Sequence, residues 1–401
     1  MKYYLLGKSG LKVSEICLGT MTFGKEWGWG ASKEDSRKMF DAYVNLGGNF
    51  IDTANIYTNG TSEKYVGEFV SSDRDRFVIA TKYTSNTRSG DPNAGGNHRK
   101  NMVQSLEASL KRLNTDFIDL YWVHAWDHTT PIEEMMRALD DMVKSGKILY
   151  IGISDAPAWV ISQANTIANL KGWTEFTSIQ IEYSLIERTP ERELLPMANA
   201  LDIGITAWSP LGSGVLTGKY NKSSNKENNN QNDAENKDYK KTEGVTSNDT
   251  INYTSTDSSA SSLLESDQQN SGNRLNVANF SELSNTLLKE RNLRIAEEVL
   301  NIAQEIKYTP SQVALNWIRN SKKTFRNKII PIIGAKNLVQ IKDNLGCIEF
   351  VLSDDHIQRL NEVSQIELGF PHNFLSSDTI RNIIYGGTYS SIYDHRMFSK
   401  S

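Results

Sequence analysis

The sequence predicts an α/β fold: a (β/α)8, or TIM, barrel with an N-terminal β-hairpin and a long polar insertion after its seventh strand. Three observations predict it. Short, nearly continuous apolar runs alternate with amphipathic stretches, the pattern of a parallel sheet covered by helices. The runs number eight, which favours a closed barrel over an open doubly wound sheet. Three of them end abruptly in Asp52, Lys82 and His124, and the C-terminal ends of barrel strands are where function sits.

Taken in order, Tyr3 to Leu6 and Leu11 to Val13 flank a Ser9-Gly10 turn and read as a hairpin. Val13 to Leu18 reads as the first barrel strand. The loop from Thr20 to Ala31 carries Phe23, Trp27 and Trp29, too aromatic for a mere connector, and reads as one wall of a substrate cleft. Ser32 caps a helix with Glu34 and Asp35 in its first turn and Met39, Phe40, Tyr43 and Val44 at helical spacing; Gly47-Gly48 stops it. Strands follow at 50–52, 77–82, 117–123, 148–153, 178–182 and 204–208. The helices between them fall at about 62–70, 98–113, 131–145, 157–169 and 190–201. Between about Asn221 and Asn273 the composition turns to Asn, Ser, Asp, Lys, Glu and Gln, which offers too little apolar surface to offset the entropy of ordering. Structure is expected to resume over Asn279 to Leu300, with helical periodicity in its later part, LRIAEEVLNIAQEI, and a second helix follows Pro310 over Ser311 to Ile318. KIIPII, residues 328–333, supplies the eighth strand. The expected organisation is one barrel domain over 1–365, interrupted by 221–273, then a tail over 366–401.

Composition narrows the function classes. With a net charge of −4, nothing in the composition argues for nucleic acid or an anionic membrane as partner. Cys17 and Cys347 are too few for a disulfide framework or a multi-thiolate metal site, so no metal is expected. The N-terminus lacks an apolar signal core, and no run approaches the roughly 18 residues of a membrane-spanning helix. The expectation is a soluble, cytoplasmic protein acting on a small molecule, with an oligomeric state the sequence leaves open.

If the runs ending at Asp52, Lys82 and His124 are parallel strands, the three side chains emerge on one rim, and Tyr57, five residues past Asp52, leans over it. That is the wiring of a proton donor. A phenol with a pKa of about 10 is too weak an acid near neutrality. An adjacent Lys82 ammonium lowers it, Asp52 holds the lysine charged and aimed, and His124 orients a substrate oxygen. At these residues the chain resembles the aldo-keto reductase family, NADPH-dependent carbonyl reductases on a TIM barrel. The motifs DTANIY (52–57), ATK (80–82) and YWVH (121–124) stand in the family's order, and the resemblance places its catalytic tetrad on Asp52, Tyr57, Lys82 and His124. It covers about 13–220 and 290–350 and fits the potassium-channel β-subunit-like and general-stress-protein-like branches best. In relatives the N-terminal hairpin closes the barrel bottom.

A dinucleotide site is also expected. The G-x-G-x-x-G fingerprint fails at Gly212-Ser213-Gly214, but barrels bind phosphate with the loops after strands seven and eight. Ser209, Pro210, Leu211, Gly212 and Gly214, followed by Lys219, let backbone approach a pyrophosphate. Gly334, Ala335 and Lys336 read as the start of a helix whose free N–H groups favour anions. The resemblance implies that Lys336 meets the 2′-phosphate of NADPH, that Gln340 and Asn344 contact the adenine end, and that Asp343 stands where relatives often have Glu. It further implies that Ser154, Asp155 and Gln180 hold the nicotinamide carboxamide while Trp208 stacks on the ring. Many relatives have Asn in place of Asp155 and Tyr in place of Trp208. Trp27, Trp29, Trp122, Trp126 and His128 are expected to line an aromatic cleft for a partly apolar carbonyl substrate. The expected activity is NADPH-dependent reduction of an aldehyde or ketone. An alternative is a redox-sensing regulatory subunit that binds NADP(H) with little turnover.

Overall fold

The computed structural model describes residues 1–221, 286–320 and 328–393. Eight parallel strands close into a barrel: β3 (Cys17–Gly19), β4 (Phe50–Asp52), β5 (Val78–Tyr83), β6 (Ile118–Val123), β7 (Ile148–Ser154), β8 (Phe176–Glu182), β9 (Gly204–Trp208) and β10 (Ile329–Ile333). β10 joins β9 on one side and β3 on the other, with Ile332 opposite Cys17 and Ile333 opposite Leu18. The antiparallel pair β1 (Tyr3–Leu5) and β2 (Lys12–Ser14) is the expected hairpin. Leu6 and Val13 add to the inner core with Phe50, Ala80, Leu120 and Trp122, while the Lys8 N–H donates to the Asp202 carbonyl (2.8 Å) just before β9. The hairpin therefore plugs the N-terminal end of the barrel.

Helices α1 (Lys33–Asn45), α2 (Thr61–Val70), α3 (Arg99–Leu113), α4 (Ile132–Lys144), α5 (Ala158–Lys171) and α6 (Leu194–Ala200) connect the first seven barrel strands. α7 (Glu290–Ile306) and α8 (Pro310–Arg319) precede β10, and α9 (Leu338–Leu345) and α10 (Asp354–Val363) follow it. The apolar face predicted for α1 is the buried one: Met39, Phe40 and Tyr43 join a layer between helices and strands, and Ser32 accepts the Asp35 N–H at 3.1 Å as the cap.

The structure departs from the sequence reading at several points. The first barrel strand begins at Cys17, because Val13 and Ser14 belong to the hairpin. Glu15 turns the chain there, accepting the Lys2 N–H (2.7 Å) and pairing with Arg319 (2.6 Å). The helix expected over 190–201 splits into a short 3₁₀ turn, Thr189–Glu191, and α6; Pro196 has no N–H to donate and fits only the first helical turn. The helix expected to open at Gly334 starts at Leu338 under an Asn337 cap, so Gly334 to Lys336 are loop. Asn221, the first residue of the expected insertion, is buried and donates to the Leu293 carbonyl on α7 (3.0 Å). The remainder of the expected insertion, and residues 279–285 of the stretch where structure was expected to resume, lie outside the described residues.

In the C-terminal segment, α11 (His372–Ser376) and α12 (Asp378–Tyr385) bury no residue, and Phe370, Phe374, Ile383, Ile384 and Tyr393 are exposed. Among the described residues no helix is long and apolar enough to cross a membrane.

Candidate active site

Parity along the strands aims the chemistry. Phe50, Ala80 and Leu120 point into the barrel, and two residues on, at the C-terminal ends, Asp52 and Lys82 occupy the same inward face. Both are buried, Lys82 completely. The Lys82 ammonium pairs with the Asp52 carboxylate, donates to the Thr53 carbonyl at 2.9 Å and donates to the Tyr57 hydroxyl at 3.1 Å. It also lies 4.7 Å from the Tyr57 ring centroid. Burial works against this charge, but Asp52 and the Tyr57 oxygen outweigh it and raise the lysine above its ordinary range. His124 follows β6 with its ring edge-on to Tyr57, centroids 6.0 Å apart. Burial, and secondarily Lys82, push its imidazole down to about 3, so it is neutral at physiological pH. Its Nδ1 is buried without a partner among the described residues.

The structure thus brings together the four residues expected on the rim. Sequence reasoning missed what holds them. Gln180 donates its side-chain amide to Asp52 Oδ1 (2.9 Å), so one N–H of the amide expected to meet a carboxamide is already used. Thr58 and Asn59, directly after Tyr57, have positive φ of 44° and 54°, and Thr58 Oγ1 donates to the Phe23 carbonyl at 2.6 Å. The backbone that presents the phenol is therefore strained and pinned. Nothing in the residue types announces this.

The expected dinucleotide residues distribute around the same mouth. Ser154 is buried at the end of β7, and Asp155, with φ 44°, is exposed beside it. Asp155 Oδ1 accepts the Trp208 indole N–H at 3.1 Å, while local desolvation raises its carboxyl above the ordinary range. After β9, Ser209 and Ser213 adopt left-handed backbone, Pro210 is buried and Leu211 is half-buried. Gly214, with φ 92°, makes room for a lysine: a Cβ there would stand 3.1 Å from the Lys219 Nζ. Burial and the nearby Lys336 charge both lower Lys219. Two ammonium groups that oppose each other at the loops after the seventh and eighth barrel strands suit an anion between them, so the donor set fits a phosphate-bearing cofactor. Gln340 accepts the Lys336 N–H (2.9 Å), and Asn344 donates to the Gly334 carbonyl (3.3 Å), so both brace the Lys336 loop. The Asp343 backbone carbonyl accepts from Gln312 (3.0 Å).

Of the expected cleft residues, Trp27 and Trp29 are half-buried with ring centroids 5.8 Å apart, and Trp27 lies edge-on to Tyr57 at 6.4 Å. Trp126 and His128 pack together at 6.3 Å across the mouth's other loop. Trp122 is a correction: it is fully buried in the inner core against Gly152, one layer below the mouth, and lines no cleft. Phe23 likewise turns inward, onto Phe69 of α2.

Comparison with known proteins fits this geometry. The sequence profile of the Aldo/keto reductase family matches residues 15–365. The chain is 31% identical over 381 residues to a norsolorinic acid reductase of Aspergillus flavus, covering 92% of this chain and 83% of the relative. It is 33% identical to norsolorinic acid reductase B of Aspergillus parasiticus, over 95% of this chain and 89% of that one. An NADP(+) aryl-alcohol dehydrogenase of Phanerodontia chrysosporium is 31% identical, over 94% and 89% of the two chains.

Proposed function

The chain belongs to the aldo/keto reductase family, and from that premise we propose that it moves a hydride between NADP(H) and the carbonyl carbon of an aromatic aldehyde or ketone, with Tyr57 as proton donor. The family and the names of the relatives support an oxidoreductase of carbonyl compounds. The observation that carries the finer reading is the Lys82 ammonium donating to the Tyr57 hydroxyl at 3.1 Å.

The dinucleotide, when bound, supplies the hydride. The chain's own residues handle the proton. As the carbonyl oxygen gains negative charge, Tyr57 releases its proton to it, and Lys82 stabilises the phenolate left behind. Asp52 and the Thr53 carbonyl fix Lys82 in that position. His124, neutral, offers a hydrogen bond to the carbonyl oxygen without competing as an acid. Lys219 and Lys336 would hold phosphate, which favours NADPH over NADH; Ser154, Asp155 and Gln180 would meet the carboxamide; Trp208 would cover the ring. Trp27, Trp29, Trp126 and His128 offer aromatic faces to a planar substrate, in keeping with the aryl substrate in one relative's name.

Tyr57→Phe tests the reading. It should still quench tryptophan fluorescence on adding NADPH but lose about 100- to 10,000-fold in turnover on aromatic aldehydes, followed by NADPH absorbance. Unchanged turnover removes Tyr57 as the acid.

A further inference from the structure

We infer that the Asp155 carboxylate makes this site discriminate between the two redox forms of its cofactor, holding the oxidised, cationic nicotinamide more tightly than the reduced, neutral one. The inference rests on the NADP(H) reading above.

Asp155 sits on the tetrad's rim. Its N–H donates to the Gln180 carbonyl (3.4 Å), and the Gln180 side chain donates to Asp52 (2.9 Å). Its own carbonyl accepts the Trp126 N–H (3.3 Å), so the backbone at φ 44° is tied to the neighbouring loop. The carboxylate accepts the neutral indole N–H of Trp208 at 3.1 Å and a hydrogen bond from the neutral side chain of Ser154. Among the described residues no Lys or Arg forms an ion pair with it; the Lys82 charge draws on it at longer range but is already paired with Asp52. With the Lys82–Asp52 pair neutral overall, Asp155 adds a unit of negative charge without an ion pair of its own at the mouth where hydride would be exchanged.

Hydride transfer changes the ring's charge by one unit and leaves the phosphates unchanged. Lys219 and Lys336 therefore attract both forms alike. Only a charge on the same rim as the ring tells them apart, and one carboxylate that acts on a cation across a partly desolvated cleft is worth several-fold to about tenfold in relative affinity. In the oxidising direction the alcohol's carbon gives its hydride to the ring, its hydroxyl proton passes to the Tyr57 oxygen and on to solvent, and carbonyl product, NADPH and one proton result. Asp155 favours that direction within the bound complex and slows release of NADP(+) in the other.

The experiment titrates the wild type and Asp155→Asn separately with NADP(+) and NADPH at about pH 8, where a carboxyl is ionised, reading tryptophan fluorescence. Asn removes the charge at constant size and tolerates left-handed backbone; Asp155→Gly, which suits the same φ, is the second variant should the first fail to fold. The expected result is a fall of about fivefold or more in the preference for NADP(+), mainly through weaker NADP(+) binding. A ratio unmoved within twofold, or equal weakening of both forms, overturns the inference and leaves the NADP(H) reading standing. A wild type that binds neither nucleotide overturns both.

Discussion

Lys82 has no exposed surface, yet Asp52, the Thr53 carbonyl and Tyr57 all converge on its charge. Such a pair adds little net stability, because desolvating both ions offsets their attraction; deleting one partner strands the other. Lys82→Met should therefore lower unfolding free energy in urea by about 3–5 kcal/mol, and pairing it with Asp52→Asn should recover part of that loss. His124 gives a different signature. Held down to about 3 when folded against about 6.5 unfolded, it binds fewer protons in the native state. Its contribution is full above the unfolded value and is lost as pH falls from about 6.5 toward 3. Thermal midpoints measured across that window should fall for the wild type and fall less for His124→Gln. The four rim residues were legible as a group because Asp52 ends β4, Lys82 stands one residue short of the end of β5 and His124 follows β6 directly. Trp122 was misplaced because strand parity went unused: counting back by twos from His124 puts residues 122 and 120 on the inward face, and the structure finds Trp122 and Leu120 in the inner core.

Among the elements, the loops at the mouth differ from those at the base. Of the ten non-glycine residues with positive φ among the described residues, Thr58, Asn59, Thr84, His128, Asp155, Ser209 and Ser213 lie in loops after strand C-termini, whereas Asn114, Asp202 and Lys307 follow helices. Strain gathers where side chains must be aimed, and residue type alone does not reveal it: a threonine at φ 44° contradicts its own preference. Below the mouth, packing sets the limits. A Cβ on Gly152 would stand 2.3 Å from the buried Trp122 ring. Gly152→Ala should cost about 1–3 kcal/mol in urea unfolding, and a neutral result would mean that the indole has room to move. Most strand and helix boundaries followed from periodicity. The exceptions, Val13, Pro196 and Asn337, are places where a hairpin, a missing N–H or a cap overrode it.

At the scale of the molecule, the barrel followed from the count of eight apolar runs, while the placement of the C-terminal segment did not, since its amphipathic helices have no buried face to read. Truncation after Leu368 should leave the thermal unfolding free energy within about 1 kcal/mol of the full chain, as expected where none of the described residues removed is buried; a larger loss would reveal packing by that segment. The plugged base makes a sharper contrast, because Leu6 and Val13 complete the inner core, and Leu6→Ala should cost about 2–5 kcal/mol by the same measurement.

The seam of the cylinder carries one more consequence. β10 bonds both to the earliest barrel strand and to β9, whose Ile205 lies 329 − 205 = 124 residues before its partner Ile329. During synthesis, β3 and β9 each wait with an unpaired edge until residues 329–333 have left the ribosome, and bare edges invite pairing with neighbouring nascent chains. A message cut short before codon 329 therefore leaves an open sheet with two adhesive borders, a product for a chaperone or a protease to meet before any dinucleotide does.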